Sequence, residues 1–232
     1  MSARLPSAPR VRFAARAVLF DLDGTLADTA PDLGGAVNRM RLRRGLEALP
    51  IERLRPVASA GARGMLAAGF AVAPDEAGYE ALRDEFLAEY ESALDRDSRL
   101  FDGVPACLEA LAARGLRWGV VTNKATRFTL PVLAGLGLAE GAAVVVAGDT
   151  TPHAKPHPAP LLEACARLGL EPRQAVYVGD DLRDMQAARA AGMPAIAAAY
   201  GYLGDGLDVA HWPCDARIDS PEALLSLLDE GR

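Results

Sequence analysis

The feature that most restricts this chain is an alternation. Short apolar runs, AVLFD (17–21), RWGVVT (117–122), AAVVVAG (142–148), QAVYVGD (174–180) and MPAIAAAY (193–200), are separated by longer stretches whose apolar residues recur at helical spacing. The helical stretches GVPACLEALAARGL, RFTLPVLAGLGL, APLLEACARLGL and LRDMQAARAAG each carry a glycine near the C-terminal end, where a left-handed cap residue is favoured. Strand and helix in alternation predict a parallel sheet with helices on both faces, an α/β, Rossmann-like core. The expected order of its five strands is 3-2-1-4-5.

The alternation is interrupted once. PDLGGAVNRMRLRRGLEALP, IERLRPVASAG, ARGMLAAGFAV and PDEAGYEALRDEFLAEYESALDRDS all show helical periodicity and no strand. This predicts a helical cap domain over 30–99, set over the ends of a core made of 15–29 and 100–232. Residues 1–14 are read as a tail, because MSARLPSAPRVRFAAR carries several arginines but no apolar signal core.

Composition narrows the setting. A chain of 232 residues, 50% hydrophobic and with a net charge of −6, suits one core with an insert. It has no basic stripe for nucleic acid and no apolar run of the roughly 20 residues that span a bilayer. Cys107, Cys165 and Cys214 are far apart and form no CxxC, so a reducing cytoplasm is expected, with the chain a monomer or homodimer. Of 25 basic residues only Lys124 and Lys155 are lysines, which marks both positions.

In open α/β sheets ligands bind beyond the carboxyl ends of the strands, where the strand order reverses. In the expected order that point lies between the first strand, which ends at Asp21, and the fourth, which ends in VGDD with Asp180 and Asp181. Carboxylates meeting there repel one another unless a cation or a shared proton lies between them. With oxygen ligands alone the cation is hard, and Mg2+ is expected. Mg2+ on two or three carboxylates takes a substrate phosphate as a further ligand. Donors for phosphate oxygens stand at the other strand ends: Gly24 and Thr25 after the first, Thr122 and Asn123 after the second, and Lys155 in HAKPHPAP after the third. A small phosphate ester is therefore the expected partner.

The set DxDGT, a strand ending in Thr-Asn, then Lys-Pro, then GDD with Asp184 beyond it, resembles the four motifs of the haloacid dehalogenase superfamily in its phosphatase branch. The motifs stand in the family's order and cover almost the whole chain from Ala17. The helical insert is similar to that family's cap placed after the first motif. The resemblance implies an aspartyl-phosphate mechanism: Asp21 as nucleophile, and Asp23 as acid to the leaving oxygen and then base to water. It implies Mg2+ on Asp21, the Asp23 carbonyl and Asp180, with Asp181 and Asp184 in support. Thr122 and Lys155 would hold the transferring phosphoryl group, and Asn123 would position the site.

Within the family the chain as a whole is similar to the phosphoglycolate phosphatase group. ASAGARGML, LRDEFLAEYESALDRDSRLFDG, GDDLRDMQAARAAG and the HWPCDARIDSPEAL tail look more like the branch that hydrolyses N-acetylmuramic acid 6-phosphate in bacterial cell-wall recycling. That ester is the expected substrate, with 2-phosphoglycolate the alternative. Arg63 is the candidate for a substrate carboxylate, and Tyr200, Tyr202 and Trp212 for a sugar ring. Phosphonate hydrolysis is disfavoured because the cap holds no lysine, and a binding module because no motif acid or lysine is lost. A phosphosugar mutase uses the same two aspartates. RMRLRRG (39–45), His153 and His157 are read as surface, and Asp181 with Asp184 as a helix N-cap.

Overall fold

The computed structural model describes residues 12–204, 206 and 208–229. The chain enters through Phe13, which bridges to Leu228, so residues 12–14 of the expected tail are tied to the far end of the chain; the remainder of that tail lies outside the described residues. Strand β1 (Ala17–Phe20) is followed by β2 (Ala27–Asp28), α1 (Ala30–Arg43), α2 (Ile51–Leu54), a 3-10 turn (Arg55–Ala60), α3 (Gly61–Phe70), α4 (Tyr79–Glu91) and β3 (Arg99–Leu100). The alternation then resumes with α5 (Val104–Ala113), β4 (Arg117–Val121), α6 (Thr126–Gly135), β5 (Val145–Val146), α7 (Ala159–Leu168), β6 (Ala175–Gly179), α8 (Leu182–Ala191), β7 (Ala195–Ala198) and β8 (Ala216–Ile218).

The main sheet is parallel in the order β5-β4-β1-β6-β7-β8. Its first five strands in sequence follow the expected 3-2-1-4-5. The sixth, β8, was not anticipated, since Ala-Arg-Ile is too short to show a period of two. The two-residue pair β2–β3 is likewise too short to show a period; it is antiparallel, with Ala27 opposite Leu100.

Side-chain alternation along β1 divides the interior. Val18 and Phe20 join one apolar cluster with α5 and α6, while Ala17 and Leu19 join another with α7 and α8. Both faces being covered, β1 reads as an unbroken apolar run. The first cluster continues without a break into the helices between β2 and β3 through Leu33, Met40, Leu54, Met65, Phe86 and Tyr90. Within that segment α1 and α4 are joined at the surface by Arg39–Glu89 and Arg43–Glu85 pairs, so the RMRLRRG face is solvated as expected.

The two strands of chain that lead into and out of these helices are bound together. The Asp32 carboxylate on α1 accepts from the backbone N–H of Asp97 (3.0 Å) and of Ser98 (2.9 Å), and from the Ser98 hydroxyl (2.6 Å). At the start of α1 no residue of the helix itself supplies a side-chain cap. The Tyr202 hydroxyl does so instead, accepting from Thr29 N–H (2.7 Å) and Ala30 N–H (2.9 Å) and donating to Asp28 (2.9 Å). No helix of the described residues is long and apolar enough to cross a membrane.

Candidate active site

The pairing of β1 between β4 and β6 brings three strand ends together. Asp21 follows β1, with its N–H on the Val178 carbonyl of β6 (2.9 Å) and its Oδ1 accepting from Leu22 N–H (2.8 Å). Asp180 follows β6, and Asp184 lies in the first turn of α8. Carboxylate oxygens of Asp21, Asp180 and Asp184 all lie within 4.8 Å of one another, and all three residues are buried. Asp184, expected only in support, is thus a full member of the acidic cluster, while Asp23 enters it by no side-chain atom.

Three buried carboxylates this close need compensation. Lys155 supplies part of it, with Nζ 2.9 Å from Asp21 Oδ1 and 2.8 Å from Asp184 Oδ1. The same ammonium donates to the Tyr177 hydroxyl (2.6 Å), which in turn donates to the Val121 carbonyl (2.6 Å). Burial works against the charge on Lys155, but Asp184 and Asp21 overcome it and hold the pKa above the ordinary lysine range. The compensation is incomplete. Asp180 is pushed well above the usual carboxylate range by burial and by Asp21 and Asp184, and Asp184 is also raised, chiefly by burial, although Lys155 opposes the shift. A divalent cation held by oxygen donors fits such a set.

The turn after β1 is shaped around Asp180. Gly24 has φ of 88°, and a Cβ there would overlap the Asp180 carboxylate, so the residue must be glycine. Thr25 Oγ1 donates to Asp180 Oδ1 (2.7 Å), and Tyr202 N–H donates to Oδ2 (3.0 Å). Asn123 does not point at the cluster. Its side chain exchanges two hydrogen bonds with the Lys155 backbone, Nδ2 to the carbonyl and Lys155 N–H to Oδ1, both at 2.9 Å, and so fixes where that lysine leaves the loop. Thr122 is buried at the end of β4, and its Oγ1 accepts from Lys124 N–H (3.2 Å).

A cavity of 350 Å³ opens in front of Asp21, Asp23, Thr122 and Lys155. Its far wall comes from the inserted helices and α6: Ala58, Phe86, Leu87, Tyr90 and Phe128, with Arg83 and Arg127 among the outer lining. Residues 18–198 match the pattern of the haloacid dehalogenase-like hydrolases. The chain belongs to that family. It is 44% identical to an N-acetylmuramic acid 6-phosphate phosphatase of Pseudomonas aeruginosa over 94% of this chain and 96% of the relative. It is 50% identical to a phosphoglycolate phosphatase of Xanthomonas campestris pv. campestris over 90% of this chain and 94% of the relative. A crystal structure from Haemophilus somnus 129pt, described as a predicted phosphoglycolate phosphatase, superposes with a TM-score of 0.80 at 30% identity and covers 92% of this chain and 97% of its own.

Not every expected residue of this hydrolase reaches the cavity. Arg63 is exposed on α3 and lines a neighbouring cleft with Pro56, Ala67, Leu203 and Trp212. Tyr200 donates to the Thr25 carbonyl (3.0 Å), and Tyr202 caps α1, so both support the floor from behind. Asp181 acts as the expected N-cap of α8, accepting from Arg183 N–H (2.9 Å), while Asp184 accepts from Asp181 N–H (3.0 Å).

Three residues outside the expected set do reach the site. Ser59, in the 3-10 turn before α3, donates to Asp180 Oδ2 (3.0 Å), and Arg183 donates to the Ser59 carbonyl (2.8 Å). Lys124 lies 2.9 Å from Asp23 Oδ1. The rarity of lysine pointed to Lys124, but nothing in the spacing of Ser59 or Arg183 distinguishes them from ordinary surface residues.

Proposed function

We propose that this hydrolase releases phosphate from a sugar 6-phosphate of the N-acetylmuramic acid type, with Mg2+ bound and through a phospho-aspartate at Asp21. The chain is a phosphoric monoester hydrolase, and the observation that carries the mechanism is the convergence of Asp21, Asp180, Asp184 and Lys155 on one point of the sheet edge. Asp21 Oδ attacks phosphorus, the ester P–O bond breaks, and Asp23 gives a proton to the departing alcohol oxygen. Asp23 then takes a proton from the water that attacks the phospho-aspartate, which frees inorganic phosphate and restores Asp21. Lys155, 2.9 Å from Asp21 Oδ1, orients that carboxylate, and together with Thr122 it meets the oxygens of the transferring group. Asp21, Asp180 and Asp184, with the Asp23 carbonyl, would hold Mg2+, which when bound neutralises phosphate charge. The segment 30–99 serves as the cap that shields the phospho-aspartate from bulk water.

The substrate reading rests on the wall of the cavity. Phe86, Leu87, Tyr90 and Phe128 present an apolar and aromatic surface that an acetylated pyranose can cover and that a two-carbon acid leaves bare. Arg83 and Arg127, rather than Arg63, are the cations on that side for a lactyl carboxylate. The 50% identity to a phosphoglycolate phosphatase supports 2-phosphoglycolate as the second reading. Measuring kcat/KM for both esters on one preparation decides between them, because specificity is the ratio of those constants. A ratio of about tenfold or more for N-acetylmuramic acid 6-phosphate is expected, and the reverse ratio overturns the substrate while leaving the hydrolase in place.

A further inference from the structure

Lys124 has no part in the acidic cluster, yet it is a buried cation inside the same cavity. Its side chain is 6% exposed, and Nζ lies 2.9 Å from Asp23 Oδ1. The ring of Tyr90, delivered by α4 of the cap, stands 4.8 Å from the ammonium. The 2.9 Å ion pair with Asp23 and the adjacent aromatic face offset the cost of burying this charge. Thr29 Oγ1 donates to the same Oδ1 of Asp23. Both hydrogen bonds therefore fall on one oxygen, which leaves Oδ2 as the edge through which a proton can pass.

We propose that Lys124 is a leaving-group residue, holding Asp23 against the alcohol oxygen that departs from phosphorus and offsetting the negative charge that grows on that oxygen. The proposal rests on the reading of Asp23 as the acid of the first step. In that step the Asp21 oxygen bonds to phosphorus, the ester P–O bond breaks, and its electron pair goes to the alcohol oxygen. The proton for that oxygen comes from Asp23, and Lys124 keeps its own three protons throughout. Once the proton has moved, the ammonium faces the carboxylate left on Asp23. The benefit is electrostatic and is preorganised in a water-poor pocket. It must grow with the basicity of the departing oxygen, since a stable leaving anion needs neither the proton nor the charge.

The test compares phenyl phosphate with p-nitrophenyl phosphate, which are similar in size and differ in leaving-group basicity, by kcat/KM on single preparations of wild type, Lys124→Met, Lys124→Arg and Asp23→Asn. The ratio of the two constants cancels any inactive fraction, so a partly folded variant still reports. Lys124→Met is expected to lose at least about tenfold more on phenyl phosphate than on p-nitrophenyl phosphate, in the range of general-acid effects. Lys124→Arg, which keeps the charge, should remove most of that bias. Equal losses on both esters for Lys124→Met overturn the proposal, because a merely structural role lowers both alike. Asp23→Asn separates the two readings. A bias in Asp23→Asn with none in Lys124→Met rejects Lys124 alone, whereas no bias in either removes Asp23 as the acid and Lys124 with it.

Discussion

The floor of the site, at the ends of β1, β4 and β6, and its roof, the helices between β2 and β3, are held by different forces. On the floor each group is buried and multiply bonded: Asp180 accepts from Thr25, Tyr202 N–H and Ser59, and Lys155 spans Asp21 and Asp184. These positions inherit the rigidity of a sheet whose central strand is buried on both faces. The roof meets the cavity mainly with apolar side chains, among them Phe86, Leu87 and Tyr90. Its surface ion pairs, such as Arg43–Glu85, are largely solvent-exposed and screened, so they contribute little. Among the described residues Ser59 carries the direct hydrogen bond from roof to clustered carboxylate, with Arg183 gripping its carbonyl from the core. The lesson is that the chemistry is fixed by the sheet, while the roof is free to adapt its wall to a substrate.

The largest effect expected is on the floor. Asp21→Asn removes the proposed nucleophile and one of three clustered carboxylates, so phosphate release should fall by several powers of ten in a steady-state assay. A rate near that of the wild type would remove the covalent route.

Next comes the coupling of pH, metal and stability. Asp180 and Asp184 have raised pKa values in the folded protein, so the folded state binds their protons more tightly than the unfolded chain does. Their contribution to stability is present below the ordinary carboxylate pKa of about 4 and is lost as pH rises through the folded values. Metal-free protein should therefore lose thermal stability as pH rises from weakly acidic to neutral. Mg2+ needs the ionised carboxylates, so the rise in Tm it produces should be larger at about pH 8 than at about pH 6. A Tm increase that is equal at both pH values would break the link between the cluster and the metal.

Ser59→Ala and Arg63→Ala sharpen the boundary between roof and floor. Losing the Ser59 donor to Asp180 should cost about tenfold in kcat/KM, the size of one hydrogen bond to a charged group, and should weaken Mg2+ binding measured by calorimetry. Arg63→Ala should change kcat/KM by less than about twofold, as expected of an exposed side chain outside the cavity. Should the order of the two effects reverse, the roof meets substrate through α3 and not through the turn before it.

The smallest effect concerns Tyr90, whose hydroxyl is buried without a hydrogen-bond partner among the described residues. Removing an unpaired buried polar group is neutral or stabilising by up to about 1 kcal/mol. Tyr90→Phe should therefore melt at or slightly above the wild-type Tm, and a lower Tm would mean that the hydroxyl is bonded in solution.

The strand ends were legible because each joins an apolar run to a polar residue, a local pattern that survives in one dimension. Asp21, Thr122 and Asp180 could be read in this way, and Lys155 from its place between prolines in a lysine-poor chain. Asp184 was legible as a capping acid and, through the family resemblance, as a supporting acid, but not as a full member of the cluster: its Oδ2 takes the Asp181 N–H while its Oδ1 faces Lys155, a division that only the tertiary structure shows. Arg63 was a candidate because its charge suits a substrate carboxylate, but the direction of a helical side chain depends on which face of α3 packs inward. Met65 and Leu66 take the inward face, which turns Arg63 out.

By itself, the sequence determined the alternation of strands and helices, the place of the insert, and which strand ends carry acids. These follow from periodicity and from turn chemistry, both of which act over a few residues. Tertiary structure alone decided which groups at those ends share a proton, a cation or a hydrogen bond. The pairing of Lys124 with Asp23 across 101 residues, of Ser59 with Asp180 across 121, and of the Tyr202 hydroxyl with the start of α1 across 172 has no trace in local spacing. Such contacts form because burial makes every unpaired polar group costly, and the packed sheet leaves each of them very few partners to choose from.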